Sequence, residues 1–243
     1  MGITIHYKMK FTGTEKELTD KLGLVANYAN ELMFKDVKKN IYKFDFNTDI
    51  NKIDSFTPTI IVKNEDLHKY AGAYLKPIMV DGKYVVIDED YRWAKIQTQP
   101  WEDRRNENGV MVSSTVKGGN GICLDTWFGE GCEPTNFGFY RKGKGKIWKG
   151  KSFTKTQYAE EFVKAHISVC HLLKFAQKIG LVTKVSDEGD FYETNDMTKL
   201  VDNSEENLQL IAGMVDMFKK MDINFDGKGL EADRLLKNYQ LKT

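Results

Sequence analysis

Apolar residues recur at helical spacing in three segments of this chain, and all three lie away from its centre. They predict helices over about residues 14–32, 158–179 and 204–221. Between the first two, short β-forming runs separated by turn residues predict strands. Helices near the ends and strands in the middle indicate an α+β fold, with a largely antiparallel or mixed sheet and three main helices packed on it.

Several local signals fix where these elements begin and end. Thr14 and Glu17 have the spacing of a capping box, in which each side chain satisfies a backbone donor at a helix start. GITIHYKMKF alternates as a strand does, and Asp81-Gly82 predicts a two-residue hairpin turn. Gly180 is expected to end the second helix. The polar run EDRRNENG, residues 102–109, is expected to be irregular.

Length and composition set the domain organisation. The 243 residues, 41% of them hydrophobic, can form one α+β domain over residues 1–200, or two packed sub-domains over about 1–100 and 101–200. Residues 201–243 are expected to form a C-terminal helical extension. The apolar runs are far shorter than the roughly 20 residues that a membrane span needs. With no secretory signal pattern at the N-terminus, we expect a cytoplasmic protein with no membrane partner.

The turn GEGCEP, residues 129–134, is the first candidate site. Its glycines allow positive φ angles and Pro134 disfavours helix, so Cys132 and Glu133 are expected at a strand edge. A nucleophilic role for Cys132 requires a neighbouring histidine or cation, because the free thiol has a pKa of about 8.5. The alternative is a tight β-connection with a reduced, partly buried thiol.

A resemblance extends over several of these motifs. GITIHY at the N-terminus, GCEP at 131–134, KTQ at 155–157, His166 and DEGDFYET at 187–194 together resemble a family of uncharacterised bacterial and archaeal proteins. The resemblance covers the N-terminal strand and roughly residues 121–195. No activity is attached to that family, so the resemblance implies no reaction.

His166 is the candidate general base, because it lies at the border of the apolar stripe of the second helix, whereas His171 is expected to face solvent. The acidic turn after the next strand offers partners: Asp187 or Glu188 can orient the imidazole or bind a metal. We therefore expect His166, Glu133 and one of Asp187 and Glu188 to line one cleft. The candidate ligands for a divalent cation are Asp187, Glu188, Asp190 and Glu193. A buried histidine and a solvated acidic turn are the alternatives.

A basic segment follows the GCEP turn. Residues 141–155, RKGKGKIWKGKSFTK, contain no acid and two aromatic residues. Lysines interleaved with aromatic rings can contact phosphates and stack on bases. The alternative is a hairpin whose lysines discourage pairing with another sheet edge. The net charge of +1 gives no independent support for a nucleic-acid partner.

The C-terminal segment DINFDGKGLEAD resembles an EF-hand calcium loop, with Asp222, Asn224 and Asp226 at its first three side-chain ligand positions. Asp233 replaces the usual glutamate and reaches less far, so any binding is expected to be weak. A simple helix-to-helix turn is the alternative.

Two functions remain open from the sequence. One is a hydrolase-like or acid/base enzyme acting on a polar small molecule, with or without a phosphate group, with His166, Glu133, Cys132, Asp187 and Glu188 as its site. The other is a binding module without catalysis, which contacts nucleic acid or a protein partner through the basic hairpin 141–155.

Overall fold

A seven-stranded antiparallel sheet organises the fold. The structure, a computed structural model, describes residues 3–37, 41–49, 52–53, 56–70 and 77–203. The strands in chain order are β1 (Thr4–Thr12), β2 (Asp36–Val37), β3 (Tyr42–Asp45), β4 (Thr59–Val62), β5 (Ile78–Val80), β6 (Lys83–Ile87), β7 (Trp101–Arg105), β8 (Met111–Thr115), β9 (Asn120–Trp127), β10 (Thr135–Arg141), β11 (Ile147–Lys155) and β12 (Val182–Asp187).

The strand order in the main sheet is β12-β1-β11-β10-β9-β2, and β3 also pairs with β9. β1 therefore lies between β11 and β12, so strands from the beginning and the end of the described chain are neighbours. Two smaller sheets have the orders β4-β6-β5 and β7-β8. The expected α+β fold with antiparallel sheets is confirmed.

The helices are α1 (Glu15–Glu31), α2 (Glu89–Thr98), α3 (Phe162–Lys178) and α4 (Phe191–Thr194), with a 3₁₀ helix over Asn64–Tyr70 and helical backbone at 197–203. The capping box of α1 is confirmed, because Thr14 Oγ1 accepts from the Glu17 N–H and the Glu17 carboxylate accepts from the Thr14 N–H. Gly180 follows α3 with φ +80°, as expected of a helix end.

The two faces of the sheet are covered differently. On one face, α1 and α3 bury Ile5, Tyr7 and Met9 of β1 in the main core. On the other face, α2 packs over β9 and β10, where Tyr91 and Ala94 contact a second core around Cys123. On this second face, the alternate residues of β1 from His6 to Thr12, and the residues of β11 and β12 beside them, stay exposed to solvent. We call this exposed area the open face.

Two segments differ from their sequence-based predictions. The segment 89–98, predicted as part of a β-rich region, is helix α2, which begins at Asp88 where the side chain caps the Tyr91 N–H. It has no continuous apolar stripe, so its periodicity gives no helical signal. The run EDRRNENG, predicted to be irregular, belongs to the β7-β8 hairpin, in which the Asn106 side chain accepts from the Asn108 and Val110 N–H groups.

The hairpin predicted at Asp81-Gly82 is confirmed, with φ +47° and +74° at the two turn residues. The helix predicted over 204–221 and the calcium loop predicted at Asp222, Asn224 and Asp226 lie outside the described residues. No helix in the described ranges is long and apolar enough to span a membrane.

Candidate functional site

Lysines from three adjacent strands form a basic area on the open face. Lys8 of β1 lies directly opposite Lys151 of β11 and, on its other side, directly opposite Lys184 of β12. Lys10 lies opposite Lys149 in the same way. All five side chains are exposed, and within the described part of the chain none forms an ion pair with a carboxylate. We call these five residues the lysine rows.

This arrangement is unfavourable for the folded chain alone. Like charges directly opposite each other across neighbouring strands destabilise a sheet. The sequence offered protection of a sheet edge as an explanation for the basic segment, but β11 and β1 are interior strands. That explanation holds only for Lys184, because β12 is at the edge. The remaining lysines concentrate positive charge in a protein whose net charge is only +1.

A groove of about 730 Å³ crosses this face beside the C-terminal end of α2. Lys8, Lys151 and Lys184 line it. A row of aromatic rings lies two residues farther along the strands. In this row His6 is opposite Phe153, and their ring centroids are 5.9 Å apart. The indole of Trp101, at the start of β7, lines the groove as well. Phe153 and Trp101 are 49% and 48% exposed, so about half of each residue is accessible to solvent.

One acid lines the groove and a second contacts a histidine that lines it, and each acid has a backbone partner. Glu133 lines the groove, and its carboxylate accepts from the Lys155 N–H at 3.1 Å. Glu188 accepts from the Thr4 N–H at 2.9 Å and lies 3.6 Å from His6 Nε2. Each carboxylate accepts a hydrogen bond from a backbone N–H of a strand, and these hydrogen bonds explain why the two acids lie there.

The histidine singled out by sequence lies in a buried cluster. The His166 side chain is completely buried, and both ring nitrogens have partners. Nδ1 lies 2.8 Å from Thr156 Oγ1, and Nε2 lies 3.0 Å from Asp187 Oδ2. A general base must reach the proton of a substrate, so this burial argues against catalysis by His166. His171 is exposed, as expected.

Asp187 is the centre of that cluster. Its carboxylate also accepts from the N–H groups of Gly189 at 2.8 Å and Tyr192 at 2.9 Å. Burial alone raises the pKa of this carboxyl, but the hydrogen bond and charge of His166 and the two N–H donors outweigh it and lower the pKa below its ordinary value. The ionised carboxylate therefore stabilises the junction between α3 and the turn after β12.

The expected common cleft does not form. Side chains alternate between the two faces of a strand, so Ser186 lines the groove whereas Asp187 points under the sheet toward α3. Glu188 contacts His6 at the open face. Glu133 therefore lies at the groove, and His166 with Asp187 lies beneath the opposite face.

Cys132 is also unsuited to nucleophilic catalysis. Burial, with a smaller contribution from the Glu133 charge, raises the pKa of its thiol to about 12. The turn around it is set by packing, because Gly131 has φ +73° and a Cβ there would collide with the Tyr158 carbonyl oxygen. The GCEP segment is thus the tight β-connection that the sequence left as an alternative.

The four acids predicted as cation ligands do not converge. Asp187 points inward, Glu188 binds the Thr4 N–H, and Asp190 and Glu193 are exposed. Among the residues that the structure describes, the metal-ligand side chains that do converge are His166, Cys170 and Asp187, whose ligand atoms all lie within 4.8 Å of one another. That spacing is compatible with a bound metal ion.

The sequence indicated one part of the open face and not the rest. It identified Lys149, Lys151 and Phe153 within the basic segment, but not Lys8, Lys184 or the Trp101 ring. The alternation in GITIHYKMKF carried a signal, because it places His6, Lys8 and Lys10 on one side of a strand.

In comparisons with protein-family models, curated proteins and solved structures, nothing matches this chain.

Proposed function

We propose that this protein is a binding module for single-stranded nucleic acid and that the open face of its main sheet is the binding surface. The observation that carries the proposal is the direct opposition of Lys8 to both Lys151 and Lys184 beside a row of exposed rings. A polyanion relieves the repulsion among these lysines, since each phosphate neutralises charge that no carboxylate of the described residues pairs with.

The spacing of charges and rings supports a strand of nucleic acid. Residues two apart on a β-strand are separated by about 7 Å. Along β1 this places Lys10, Lys8 and His6 in sequence, each with a partner on β11. Phosphates can lie along the lysine rows while bases lie over the rings of His6, Phe153 and Trp101. The area is longer than one phosphate group requires, which favours a polymer over a small phosphorylated ligand.

The rings favour single-stranded over double-stranded nucleic acid. A side-chain ring in a groove stacks on a base only if that base is splayed out of its own stack, and single strands allow this. Such stacking tolerates any base because every base has a π-face. We therefore expect binding with little sequence preference and a strong dependence on salt.

The test is a fluorescence-anisotropy titration of the full chain into labelled oligothymidylate and oligouridylate at several salt concentrations. If the five lysines each neutralise one phosphate, the slope of log K against log salt is about −3.5, from roughly −0.7 per phosphate. The variant Lys8→Ala/Lys151→Ala/Lys184→Ala should lower the magnitude of the slope by about 2.

A matched control removes the same charge elsewhere. Lys16, Lys164 and Lys178 are exposed on α1 and α3, the helices that cover the other face. Lys16→Ala/Lys164→Ala/Lys178→Ala should keep the wild-type slope. An equal loss in both variants, or no binding by the wild type at low salt, would contradict the proposal.

A further inference from the structure

A second feature, separate from the open face, is the buried group of His166, Cys170 and Asp187 beneath the sheet. His166 and Cys170 are four residues apart on α3, so both side chains project from one side of the helix. Asp187 ends β12 and meets them from the sheet. We propose that this group is a zinc site, in which His166 Nε2, Cys170 Sγ and Asp187 Oδ2 are three ligands of one Zn²⁺ ion and a water molecule is the fourth.

Two of the three distances between the ligand atoms are close to the edges of a tetrahedral zinc site, and the third, between the ligand atoms of His166 and Cys170, is within 4.8 Å. Zinc bonds of about 2.0 to 2.1 Å to nitrogen and oxygen and about 2.3 Å to sulfur give ligand-to-ligand edges of about 3.3 Å for N and O and about 3.5 Å for S and O. The corresponding separations are 3.0 Å between His166 Nε2 and Asp187 Oδ2, and 3.8 Å between Cys170 Sγ and Asp187 Oδ2. A small adjustment of the side chains brings both edges to these values.

The partners that orient metal ligands are already in place. A ligating histidine normally donates its other ring N–H to an acceptor, and Thr156 Oγ1 lies 2.8 Å from His166 Nδ1. With Nδ1–H donating to that hydroxyl, Nε2 carries the lone pair that binds the metal. The Asp187 carboxylate is held by the N–H groups of Gly189 and Tyr192. Each of these two ligands therefore has a fixed direction.

Charge balance also favours zinc at this buried position. Metal binding releases the Cys170 thiol proton and the proton on His166 Nε2 to solvent, and the thiolate and the Asp187 carboxylate together neutralise Zn²⁺. The turn after β12 closes over the imidazole, because a Cβ at Gly189 would lie 3.0 Å from His166 Cε1. The ion would connect α3 to the end of β12 and stabilise the fold.

Cobalt is the spectroscopic probe for this site. Metal-free full-length protein titrated with Co²⁺ should bind one equivalent and develop tetrahedral ligand-field bands and a thiolate-to-cobalt charge-transfer band, which Zn²⁺ then abolishes. Cys170→Ser should lose the charge-transfer band. Cys132→Ser, the same change at another buried cysteine, should keep it. Thr156→Ala should weaken zinc affinity roughly 10- to 100-fold, as loss of a partner that orients a ligand does.

X-ray absorption at the zinc edge tests the site without any substitution. The measurement therefore remains decisive even if Cys170→Ser fails to fold. The zinc-loaded wild type should show one sulfur neighbour at about 2.3 Å together with nitrogen or oxygen neighbours at about 2.0 to 2.1 Å. A zinc environment without sulfur, or wild-type protein that takes up no Co²⁺ or Zn²⁺, would overturn the assignment. The cluster would then be a hydrogen-bonded core network only.

Discussion

Lys8 on β1 lies directly opposite Lys151 on β11, and both ammonium groups project from the same exposed side of the sheet. Like charges in this position oppose folding, and opposite charges favour it, with each cross-strand pair contributing roughly 0.2 to 1 kcal/mol. Conflict between local stability and the native arrangement is typical of functional surfaces.

Lys151→Glu should raise the free energy of unfolding by roughly 0.2 to 1 kcal/mol, because it places a carboxylate opposite Lys8. The same change should weaken binding to oligothymidylate. Urea unfolding at low salt measures the gain, which should shrink as salt screens the exposed pair. A variant that is less stable than the wild type, yet binds as well, would show that repulsion between these lysines has no role.

The aromatic side chains should contribute to affinity without changing the number of phosphates contacted. Phe153→Ala and Trp101→Ala should each weaken binding to single-stranded oligonucleotides by about 1 to 3 kcal/mol, the usual range for loss of one base–ring stack. The salt slope should stay at the wild-type value. Anisotropy titrations at three or more salt concentrations separate the two effects. Exposed Trp93, which lies on α2 outside this groove, supplies a matched control as Trp93→Ala.

Acidification should destabilise the metal-free protein through Asp187. The pKa of this carboxyl is lowered in the folded state, so its contribution is complete above the ordinary value of 3.8 and is lost as the pH falls through the lower, folded-state pKa. Asp187→Asn should cost about 1 to 3 kcal/mol at neutral pH, since it leaves buried donors without an ionised acceptor. The difference in free energy of unfolding between the wild type and Asp187→Asn should become smaller in acid.

Denaturant unfolding of the metal-free wild type and Asp187→Asn at about pH 7 and about pH 3 measures how this stability difference changes with pH. Asp196→Asn, at a partly exposed acid in the following turn, is the control and should show little change in either condition. A constant difference between the wild type and Asp187→Asn across this range would contradict the role given to the ionised carboxylate.

Gly131→Ala should be markedly destabilising, because positive φ and a collision with the Tyr158 carbonyl act together. Gly143 offers the matched comparison: its φ is +62°, but no atom beyond its two chain neighbours lies within 4 Å of an added Cβ. Gly143→Ala should cost about 1 to 2 kcal/mol from the left-handed conformation alone. Thermal unfolding of both variants measures how much more stability is lost in Gly131→Ala than in Gly143→Ala. Equal losses would show that the GCEP turn can move away from Tyr158.

Local features of the fold could be predicted from the sequence where one short segment carries the whole cause. The Thr14 capping box, the Asp81-Gly82 turn and the alternation in β1 are of this kind. Helix α2 could not be, because Arg92 and Lys95 are buried despite their charge and interrupt the apolar pattern. Tertiary packing buries them, and the spacing of apolar residues along the sequence does not reveal that packing.

The candidate site depended on long-range pairing. Strand register places Lys8 beside Lys151 and Lys184, and no property of the separate segments specifies that register. Likewise, His166 was predicted at the border of an apolar stripe, but Thr156 and Asp187, from other segments, give its ring nitrogens partners that make complete burial tolerable.

The central claim is that single-stranded nucleic acid binds on the open face, and nuclear magnetic resonance tests it most directly. Backbone amide shifts of isotope-labelled full-length protein would be followed while unlabelled oligothymidylate is added. The account predicts shift changes concentrated in β1, β11 and β12 and around Trp101, with α1 and the exposed side of α3 unaffected. Changes confined to the helical face, or no changes at low salt, would contradict it.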